Sequence, residues 1–370
     1  MTDLVVVSLE AWDDVWRRNQ HLVSRLLDAD PALRVLFVEP AADPLHDLAS
    51  RRIPGRGMAP TPVEEYRGRL MRYRPVKLLP RRIDPSADDR LARAVRTVAV
   101  RAGMTAPLLW LNAPTAAPLA RLTGWPALYD ITDDWAVADR PSSELDRIRA
   151  DEAWLLENAT VVVCSSELAR RKQPLAGAPV ALIPNAVDVD AYRVPRPRPS
   201  DLPPRSAVYV GTLHRDRLDV DLCIETARGL GDRGRVVLVG PNALDATDSE
   251  RLLDGGVLML GARPRDEVIA YLQHADVLIV PHIVSPFTES LDPIKLYEYT
   301  AVGRPVISTP VAGFRDALDE SIRTAPAVVF ARAVSASIPA ATTFPEGADA
   351  EVPGWDERAA AMRAIIERMR

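Results

Sequence analysis

Lys295 and Glu298 stand three residues apart, close to the start of a predicted helix. Residues at this spacing share one face of a helix, and a helix N-terminus is itself a site for anions. The cation and the helix end could bind the diphosphate of a sugar nucleotide, while the carboxylate could bind the ribose hydroxyls. The alternative is an ordinary surface ion pair that contributes a few tenths of a kcal/mol. The spacing alone favours the ion pair.

The residues around this pair predict a short helix between a loop and a strand. Asp292 is suited to the N-cap, and Pro293 to the first helical position. Gly303 can take the left-handed conformation that ends a helix, and Pro305 prevents the helix from continuing. A buried strand is then expected at Val306–Ser308.

The length and composition favour a two-domain globular protein. A chain of 370 residues exceeds one typical core, and a net charge of −5 shows no basic excess that would suggest nucleic acid. Cys164 and Cys223 form neither a metal-binding spacing nor a disulfide framework. The sequence contains no apolar run of membrane-spanning length and no signal-peptide pattern. We therefore expect a cytoplasmic protein, or one at the inner face of the membrane.

Short apolar runs alternate with amphipathic stretches, which is typical of parallel sheets with helices on both faces. The alternation stops at the proline-rich stretch 194–204, which predicts a stiff linker and a hinge near 190–205. The fold class is therefore α/β, with two Rossmann-like halves. The predicted strands are Leu4–Val7, Val35–Val38, Leu108–Leu111, Ala127–Tyr129, Thr160–Val163, Val180–Ile183, Ala207–Val210, Val236–Val239, Val257–Leu260, Val277–Val280, Val306–Ser308 and Ala327–Phe330.

Several motifs of other nucleotide-binding and hydrolytic proteins are absent from the sequence. It has no G-x-G-x-x-G after a strand and no G-x-x-x-x-G-K-[ST], which argues against dinucleotide binding and against a P-loop NTPase. H-E-x-x-H, C-x-x-C and G-x-S-x-G are also missing. These absences favour a fold that binds a nucleotide with loops at the carboxyl ends of its strands.

The segment 292–308 resembles the donor-binding signature of GT-B glycosyltransferases, in which a glutamate-bearing helix precedes G-x-P-V-[IV]-x-[ST]. The resemblance extends over nearly the whole chain and is strongest in 205–310. The matching residues are Glu298, Ala301, Gly303, Pro305 and Val306.

The resemblance implies a GT-B fold, with two Rossmann-like domains whose sheets face an interdomain cleft. Residues 1–190 would bind the acceptor and residues 191–350 the nucleotide-diphosphate sugar. The helix in 351–370 would pack either on the first domain or only on its own. The implied activity is sugar transfer to a glycan, lipid-linked or small-molecule acceptor. It would mostly retain the anomeric configuration, and it would need no metal and no cofactor beyond the donor.

The resemblance also assigns donor contacts in the second domain. Gly211 ends a strand and would let a ligand approach the backbone closely. Thr212 replaces an arginine common in the family. Arg217 falls at the position of a family lysine and suits a diphosphate, with Arg215 in reserve; alternatively, Arg217 pairs with carboxylates of its helix. Arg263 would lie near the nucleobase or in solvent.

Ser290 stands where many relatives carry a second glutamate, eight positions before the one that binds the ribose. Glu289 is one position away from that site. The family uses this glutamate to bind the donor sugar, so Ser290 is expected to take that place. The sequence from Pro293 to Tyr299 resembles a subset with P-[IL]-K-L-Y-E-Y that takes part in teichuronic acid and exopolysaccharide assembly.

Two groups in the first domain are candidates for catalysis and acceptor binding. Asp130, Asp133 and Asp134 follow a strand and could repel one another, which would raise one pKa. Asp133 or Asp134 could then act as a base in an inverting reaction; alternatively, one of them caps the next helix. Trp12 and Asp13 match the same subset, and Trp12 could stack on a sugar or acceptor.

The stretch 51–82 has a strong excess of basic residues. It contains nine arginines and Lys77, against Glu64 and Glu65. A solvated loop face would account for this composition. The alternative is an anionic partner, either a membrane surface in peripheral contact or a phosphate on the acceptor.

Two other functions fit the same fold. A nucleotide-sugar epimerase would bind the same donor and use no acceptor. A sugar-nucleotide-binding protein without catalysis would explain Ser290 and the presence of Ala186 where relatives usually carry glycine. Product analysis without an acceptor would distinguish the epimerase, and turnover with an acceptor would exclude the inactive protein.

Overall fold

The computed structural model describes residues 3–13, 16–49, 54–79, 81, 83–138, 140–338 and 352–370. Three arginines of the basic stretch 51–82, namely Arg51, Arg52 and Arg82, lie outside these ranges. The described residues form two compact units. Unit 1 comprises the described residues of Met1–Pro184 and Asp356–Arg370, and unit 2 those of Asn185–Trp355.

Unit 1 contains an eight-stranded sheet in the order β3-β4-β2-β1-β5-β6-β7-β8. The strands pair in parallel, except that β3 is antiparallel to β4. The elements are β1 Asp3–Val7, α1 Arg18–Ala29, β2 Arg34–Val38, α2 Pro44–Ala49, β3 Met58–Pro62, β4 Leu70–Arg74, α3 Ala87–Arg101, β5 Leu108–Leu111, α4 Ala117–Thr123, β6 Ala127–Ile131, α5 Ser142–Asn158, β7 Thr160–Val163, α6 Ser166–Lys172 and β8 Ala181–Leu182.

Unit 2 contains a six-stranded parallel sheet in the order β11-β10-β9-β12-β13-β14. The final helix, α13, begins at the last residue of unit 2 and continues into unit 1. The elements are α7 Val189–Arg193, β9 Ser206–Val210, α8 Val220–Leu230, β10 Arg235–Val239, α9 Ala246–Asp254, β11 Leu258–Gly261, α10 Arg265–His274, β12 Val277–Val280, α11 Ile294–Val302, β13 Val306–Ser308, β14 Ile322–Thr324, α12 Ala327–Ser337 and α13 Trp355–Arg368.

The central strands of both sheets are mostly apolar because helices cover both faces of a parallel sheet. In unit 2, Val208 on one face of β9 and Tyr209 on the other lie in two different hydrophobic clusters. This arrangement confirms the predicted α/β class. It also leaves the loops at the carboxyl ends of the strands as the place where polar side chains can converge.

The predicted strand at Ala327–Phe330 is wrong, since these residues form the first turn of α12. A four-residue apolar run cannot distinguish a strand from a buried helix segment. Phe330 and Val334 are one turn apart and both are buried in the core of unit 2, as expected for the inner face of a helix.

The proline-rich stretch lies inside unit 2 rather than between the units. The boundary falls between Pro184 and Asn185. The backbone N–H of Arg196 donates to Gln273 Oε1 at 2.8 Å, and Arg198 donates to the carbonyl of His274 at 3.2 Å. These bonds hold the stretch against the end of α10, so it does not act as the expected linker.

Residues 356–370 belong to unit 1. Arg25 on α1 donates to Asp356 in the first turn of α13 at 2.5 Å. None of the described helices has both the length and the apolar composition needed to cross a membrane.

Candidate functional site

Two glycines at neighbouring strand ends form a tight backbone crossing in unit 2. Gly211 follows β9 with φ +145°, and Gly240 follows β10 with φ +144°. A Cβ on Gly240 would overlap the carbonyl oxygen of Gly211, and a Cβ on Gly211 would lie 2.5 Å from Lys295 Nζ. Glycine is required at both positions because φ lies where side chains are rarely tolerated, and at Gly240 a Cβ would also overlap fixed backbone atoms. The Lys295 ammonium is therefore held directly over the end of β9.

The helix that carries Lys295 begins one residue later than the sequence predicted. α11 starts at Ile294, and Pro293 is the extended residue before it. Asp292 does not cap the helix. Its carboxylate accepts from the backbone N–H of Asn185 at 2.5 Å and from the hydroxyl of Tyr297 at 2.8 Å. At the other end, Gly303 ends the helix with φ +71°, as predicted.

Lys295 does not form the surface ion pair that its spacing from Glu298 favoured. Among the described residues, its ammonium has no hydrogen bond and no carboxylate within ion-pair distance; it lies 5.0 Å from the centroid of the Tyr209 ring. Burial lowers the pKa of Lys295 to about 8, and the charge of Arg217 acts in the same direction, while Glu298 opposes the shift.

Glu298 has a different partner. Its carboxylate accepts a hydrogen bond from the Tyr192 hydroxyl at 2.5 Å. Burial raises the pKa of Glu298, while this hydrogen bond and the charges of Lys295 and Arg265 lower it. The Glu298 carboxylate and the Lys295 ammonium are thus close enough to shift each other's pKa. Different neighbours hold them in place, Tyr192 for Glu298 and Gly211 for Lys295.

His282 belongs to the same group of residues, although no local sequence signal identified it. The residue follows β12, is buried, and its Nε2 lies 3.2 Å from the Tyr209 hydroxyl. Burial moves the pKa of His282 well below its usual value, and the charges of Lys295 and Arg217 act in the same direction. The imidazole is therefore neutral at physiological pH.

Arg217 completes the cationic group. Its guanidinium lies 5.7 Å from the Phe287 ring centroid, and its carbonyl accepts from the backbone N–H of Ile283 at 2.8 Å. The charge of Arg217 contributes to the lowered pKa values of both Lys295 and His282. Positive charge concentrated in this way, beside the N-terminus of α11 and the carboxyl ends of β9 and β12, is suited to binding an anion.

The other predicted donor contacts lie in different surroundings. Arg215 is mostly exposed and pairs with Asp248 at 2.6 Å, and Arg263 pairs with Asp201 at 2.9 Å. Thr212 is partly buried next to Gly211. The hydroxyl of Ser290 is buried and donates to the carbonyl of Phe287 at 2.6 Å.

Two of the three aspartates at or beyond the end of β6 in unit 1, Asp130 and Asp134, are bound to cations, in place of the expected mutual repulsion. Asp130 is buried and forms a bidentate pair with Arg18 at 3.0 and 3.1 Å. Asp134 is buried and accepts from Lys172 at 2.7 Å. Asp133 is partly buried and accepts from the Thr132 hydroxyl at 3.0 Å. Of the two predicted catalytic residues, Asp134 is thus enclosed in an ion pair, while Asp133 lies in the loop beyond β6.

The predicted acceptor residues differ in exposure. Trp12 is only 7% exposed, and its indole meets the rings of Phe37 and Tyr66 edge to face at 5.1 and 6.1 Å. Little of the ring is left for stacking on a ligand. Asp13 is exposed, with Oδ1 3.5 Å from Arg17 Nη1.

Two solved structures of GT-B glycosyltransferases superimpose on nearly the whole chain. Sucrose-phosphate synthase from Thermosynechococcus elongatus superimposes with a TM-score of 0.65 over 100% of this chain and 97% of that protein, at 19% identity. HepE of Anabaena, in complex with UDP and glucose, gives a TM-score of 0.59 over 99% and 95%, at 14% identity. The chain therefore has the GT-B fold, as the sequence predicted.

The match to a known protein family lies within unit 2. Residues 204–340 match the family described as glycosyl transferases group 1. This match agrees with the resemblance found in the sequence. This range includes every residue of the Gly211–Lys295–Glu298 site except Tyr192.

Two curated relatives carry names from bacterial polysaccharide synthesis. TuaH of Bacillus subtilis (strain 168), whose name gives it a glycosyltransferase role in teichuronic acid biosynthesis, is 29% identical over 218 residues. That alignment covers 54% of this chain and 55% of TuaH. The amylovoran biosynthesis glycosyltransferase AmsK of Erwinia amylovora is 25% identical over 115 residues, 29% of this chain and 28% of AmsK. The chain thus spans about half the length of TuaH, and less of AmsK, in these matches.

Proposed function

We propose that this protein is a glycosyltransferase that binds a nucleotide-diphosphate sugar in unit 2 and transfers the sugar to an acceptor. The observation that carries the proposal is the Lys295 ammonium, held over Gly211 and next to Arg217, with no carboxylate partner among the described residues. A cation in such a position is electrostatically unfavourable until an anion binds. The group 1 domain and the UDP bound by the HepE structure support a nucleotide diphosphate as that anion.

The residues that would contact the donor have the following proposed roles. Lys295 and Arg217 bind the diphosphate and stabilise the charge that develops as it departs. The crossing of Gly211 and Gly240 lets the diphosphate reach the strand ends. Glu298, oriented by Tyr192, accepts hydrogen bonds from the ribose hydroxyls.

The proposed reaction needs no metal or cofactor, since Arg217, Lys295 and the start of α11 can offset the charge of the leaving group. We expect it to retain the anomeric configuration, with Ser290 near the donor sugar. The acceptor is a glycan, a lipid-linked compound or a small molecule. Teichuronic acid and amylovoran, named for the relatives, make a glycan acceptor the first to try.

A ligand screen tests the proposal. We expect the thermal midpoint of the protein to rise with at least one of the UDP-, GDP- and dTDP-sugars, because a ligand that binds only the folded state stabilises it. The screen is repeated with Lys295→Met, which should lose the shift. Arg215→Met is the matched control, because Arg215 is exposed and pairs with Asp248. If no nucleotide sugar stabilises the wild type, the proposed function is wrong.

A further inference from the structure

The ring of Tyr209 packs against the Lys295 ammonium. Tyr209 is fully buried near the end of β9, and the ammonium lies over its ring, 5.0 Å from the centroid. The Tyr209 hydroxyl lies 3.3 Å from the place that a Cβ on Gly211 would take, and the ammonium lies 2.5 Å from the same place. The ring, the ammonium and the glycine proposed to face the diphosphate therefore meet at one point.

The helix that carries Lys295 is fixed to β9 beside this ring. Tyr299, one turn after Lys295 on α11, is fully buried. Its hydroxyl accepts a hydrogen bond from the backbone N–H of Val210 at 3.1 Å. Residues four apart share one face of a helix, so the face of α11 that reaches the strand through Tyr299 also brings Lys295 to the ring of Tyr209.

The Tyr209 hydroxyl has an uncharged partner in His282. Nε2 of His282 lies 3.2 Å from the hydroxyl, and the two rings meet edge to face with their centroids 5.7 Å apart. Thr309 fixes the backbone of His282: its hydroxyl oxygen accepts from the N–H at 3.1 Å and donates to the carbonyl at 2.7 Å. A buried hydroxyl without a partner is costly. A carboxylate partner would compete with the diphosphate for the ammonium, whereas a neutral imidazole does not.

We propose that Tyr209 is a positioning residue of the donor site: its ring holds the Lys295 ammonium over Gly211 before the donor binds. This inference rests on the proposed function, because it concerns the cation assigned to the diphosphate. The face of an aromatic ring attracts a cation and, unlike a carboxylate, does not neutralise its charge. The ammonium is thus held in place and remains available to a ligand. A long side chain that is ordered before binding avoids an entropic cost equivalent to about 3- to 10-fold in affinity.

Calorimetric titration of UDP, GDP and dTDP tests the role of the ring. The diphosphate that binds the wild type most tightly is then titrated into two variants. Tyr209→Phe keeps the ring and should bind within about 2-fold of the wild type, since the ring face supplies the attraction. Tyr209→Leu removes the ring and should bind about 3- to 10-fold more weakly. If Tyr209→Leu does not fold, Tyr209→Met, whose unbranched side chain fills irregular space, gives the same comparison.

A second histidine of unit 2 supplies the control for loss of a polar contact. Nε2 of His274 lies 2.7 Å from the carbonyl of Arg196, at the end of α10. His274→Leu should bind the diphosphate as the wild type does. His282→Gln, which keeps an uncharged polar partner for the Tyr209 hydroxyl, should do the same.

Two further measurements separate positioning from a general structural role. In Tyr209→Leu the ammonium loses the ring but keeps its charged neighbours Arg217 and Glu298. The pH at which the affinity falls should therefore be lower than in the wild type by about 0.5–1 unit. In a Lys295→Met background, Tyr209→Leu should cause no further loss of affinity, because the ring then has no cation to hold.

Three results would overturn this inference: binding by Tyr209→Leu as tight as that of the wild type, an equal loss in Tyr209→Phe and Tyr209→Leu, or a loss from Tyr209→Leu that is as large in the Lys295→Met background. Each of them leaves the proposed function standing if the wild type binds a nucleotide sugar and Lys295→Met does not. A wild type that binds neither the nucleotide sugars nor the three diphosphates overturns the proposed function and this inference together.

Discussion

Glu298 accepts a hydrogen bond from the Tyr192 hydroxyl at 2.5 Å, and no ion pair joins it to Lys295 one turn away on the same helix. Tyr192 on α7 therefore orients the carboxylate of Glu298 on α11. The ammonium of Lys295 lies apart from it, over Gly211 and close to Arg217. An ordinary helical pair would satisfy both charges within the protein. Here the Glu298 carboxylate is available to one part of a ligand, the ribose, and the Lys295 ammonium to another, the diphosphate.

Replacing Lys295 by methionine should stabilise the protein without ligand and abolish donor binding. Burial lowers the Lys295 pKa from 10.5 to about 8, so the folded state disfavours the protonated form. The full shift corresponds to about 3 kcal/mol. Since the side chain is partly exposed, we expect a gain of about 1 kcal/mol near pH 7. Denaturant unfolding of the wild type and of Lys295→Met measures this difference in the free energy of unfolding. A less stable Lys295→Met variant would show that Lys295 has a structural partner.

The stability of the wild type itself should depend on Lys295 at alkaline pH. Below pH 8 the residue is protonated in both the folded and unfolded states. Between about 8 and 10.5 the unfolded state binds more protons, so this residue makes the free energy of unfolding rise with pH. Subtracting the pH profile of Lys295→Met isolates this contribution. A difference between the two profiles that does not change across this range would contradict the lowered pKa.

Donor binding should be coupled to proton uptake. A bound diphosphate raises the pKa of Lys295 because it stabilises the ammonium. We therefore expect the protein to take up protons on binding at about pH 8 to 9, and the affinity for the nucleotide sugar to fall as pH rises through this range. Calorimetry in buffers of different ionisation enthalpy measures the proton uptake. Lys295→Arg should lose this pH dependence, because arginine remains charged.

A side chain at position 211 should disrupt the site. In Gly211→Ala the new Cβ would lie 2.5 Å from Lys295 Nζ, at a φ of +145°. We expect a loss of about 1–3 kcal/mol in stability from backbone strain, together with the loss of donor binding. Gly256→Ala is the control, since φ is +82° there and no described atom lies within 4 Å of the place its Cβ would take. It should lose stability and keep its donor affinity; equal effects on affinity would remove Gly211 from the site.

Glu298 should be specific for the ribose. Glu298→Gln is expected to weaken the binding of a ribonucleoside diphosphate by about 1.5–3 kcal/mol, the usual range for a hydrogen bond to a charged group. For the 2′-deoxy analogue the same substitution should cost much less affinity, because the 2′-hydroxyl that Glu298 would bind is already absent from the ligand. A double-mutant cycle over protein and ligand gives the coupling energy. A coupling near zero would mean that the acid does not contact the 2′-hydroxyl.

Local sequence signals were sufficient for the elements that carry the site. The stop at Gly303 and the strand at Val306–Ser308 were both predicted, because a glycine and a proline fix the backbone locally. The start of α11 was misplaced by one residue, since Asp292 bonds to Asn185, far away in the sequence. Ala327–Phe330 was misassigned because a short apolar run carries no periodicity.

The internal arrangement of the site was not predictable from local patterns. The spacing of Lys295 and Glu298 favoured an ion pair, and only the tertiary structure brings Tyr192 to the acid and Gly211 to the ammonium. His282 gave no signal because its burial and its contact with Tyr209 depend on the pairing of β9 with β12. In the same way, cations from distant helices bind Asp130 and Asp134, which the sequence placed in mutual repulsion.

The most direct test of the central claim is a calorimetric titration of a nucleotide-diphosphate sugar into the wild type, Lys295→Met and Arg215→Met at neutral pH. We expect the wild type and Arg215→Met to bind one molecule per chain with similar affinity. Lys295→Met should bind at least about 10-fold more weakly, since it loses one charge-assisted contact to the diphosphate. Equal binding by all three proteins, or binding lost only in Arg215→Met, would contradict the assignment of the donor site to Lys295 and Gly211.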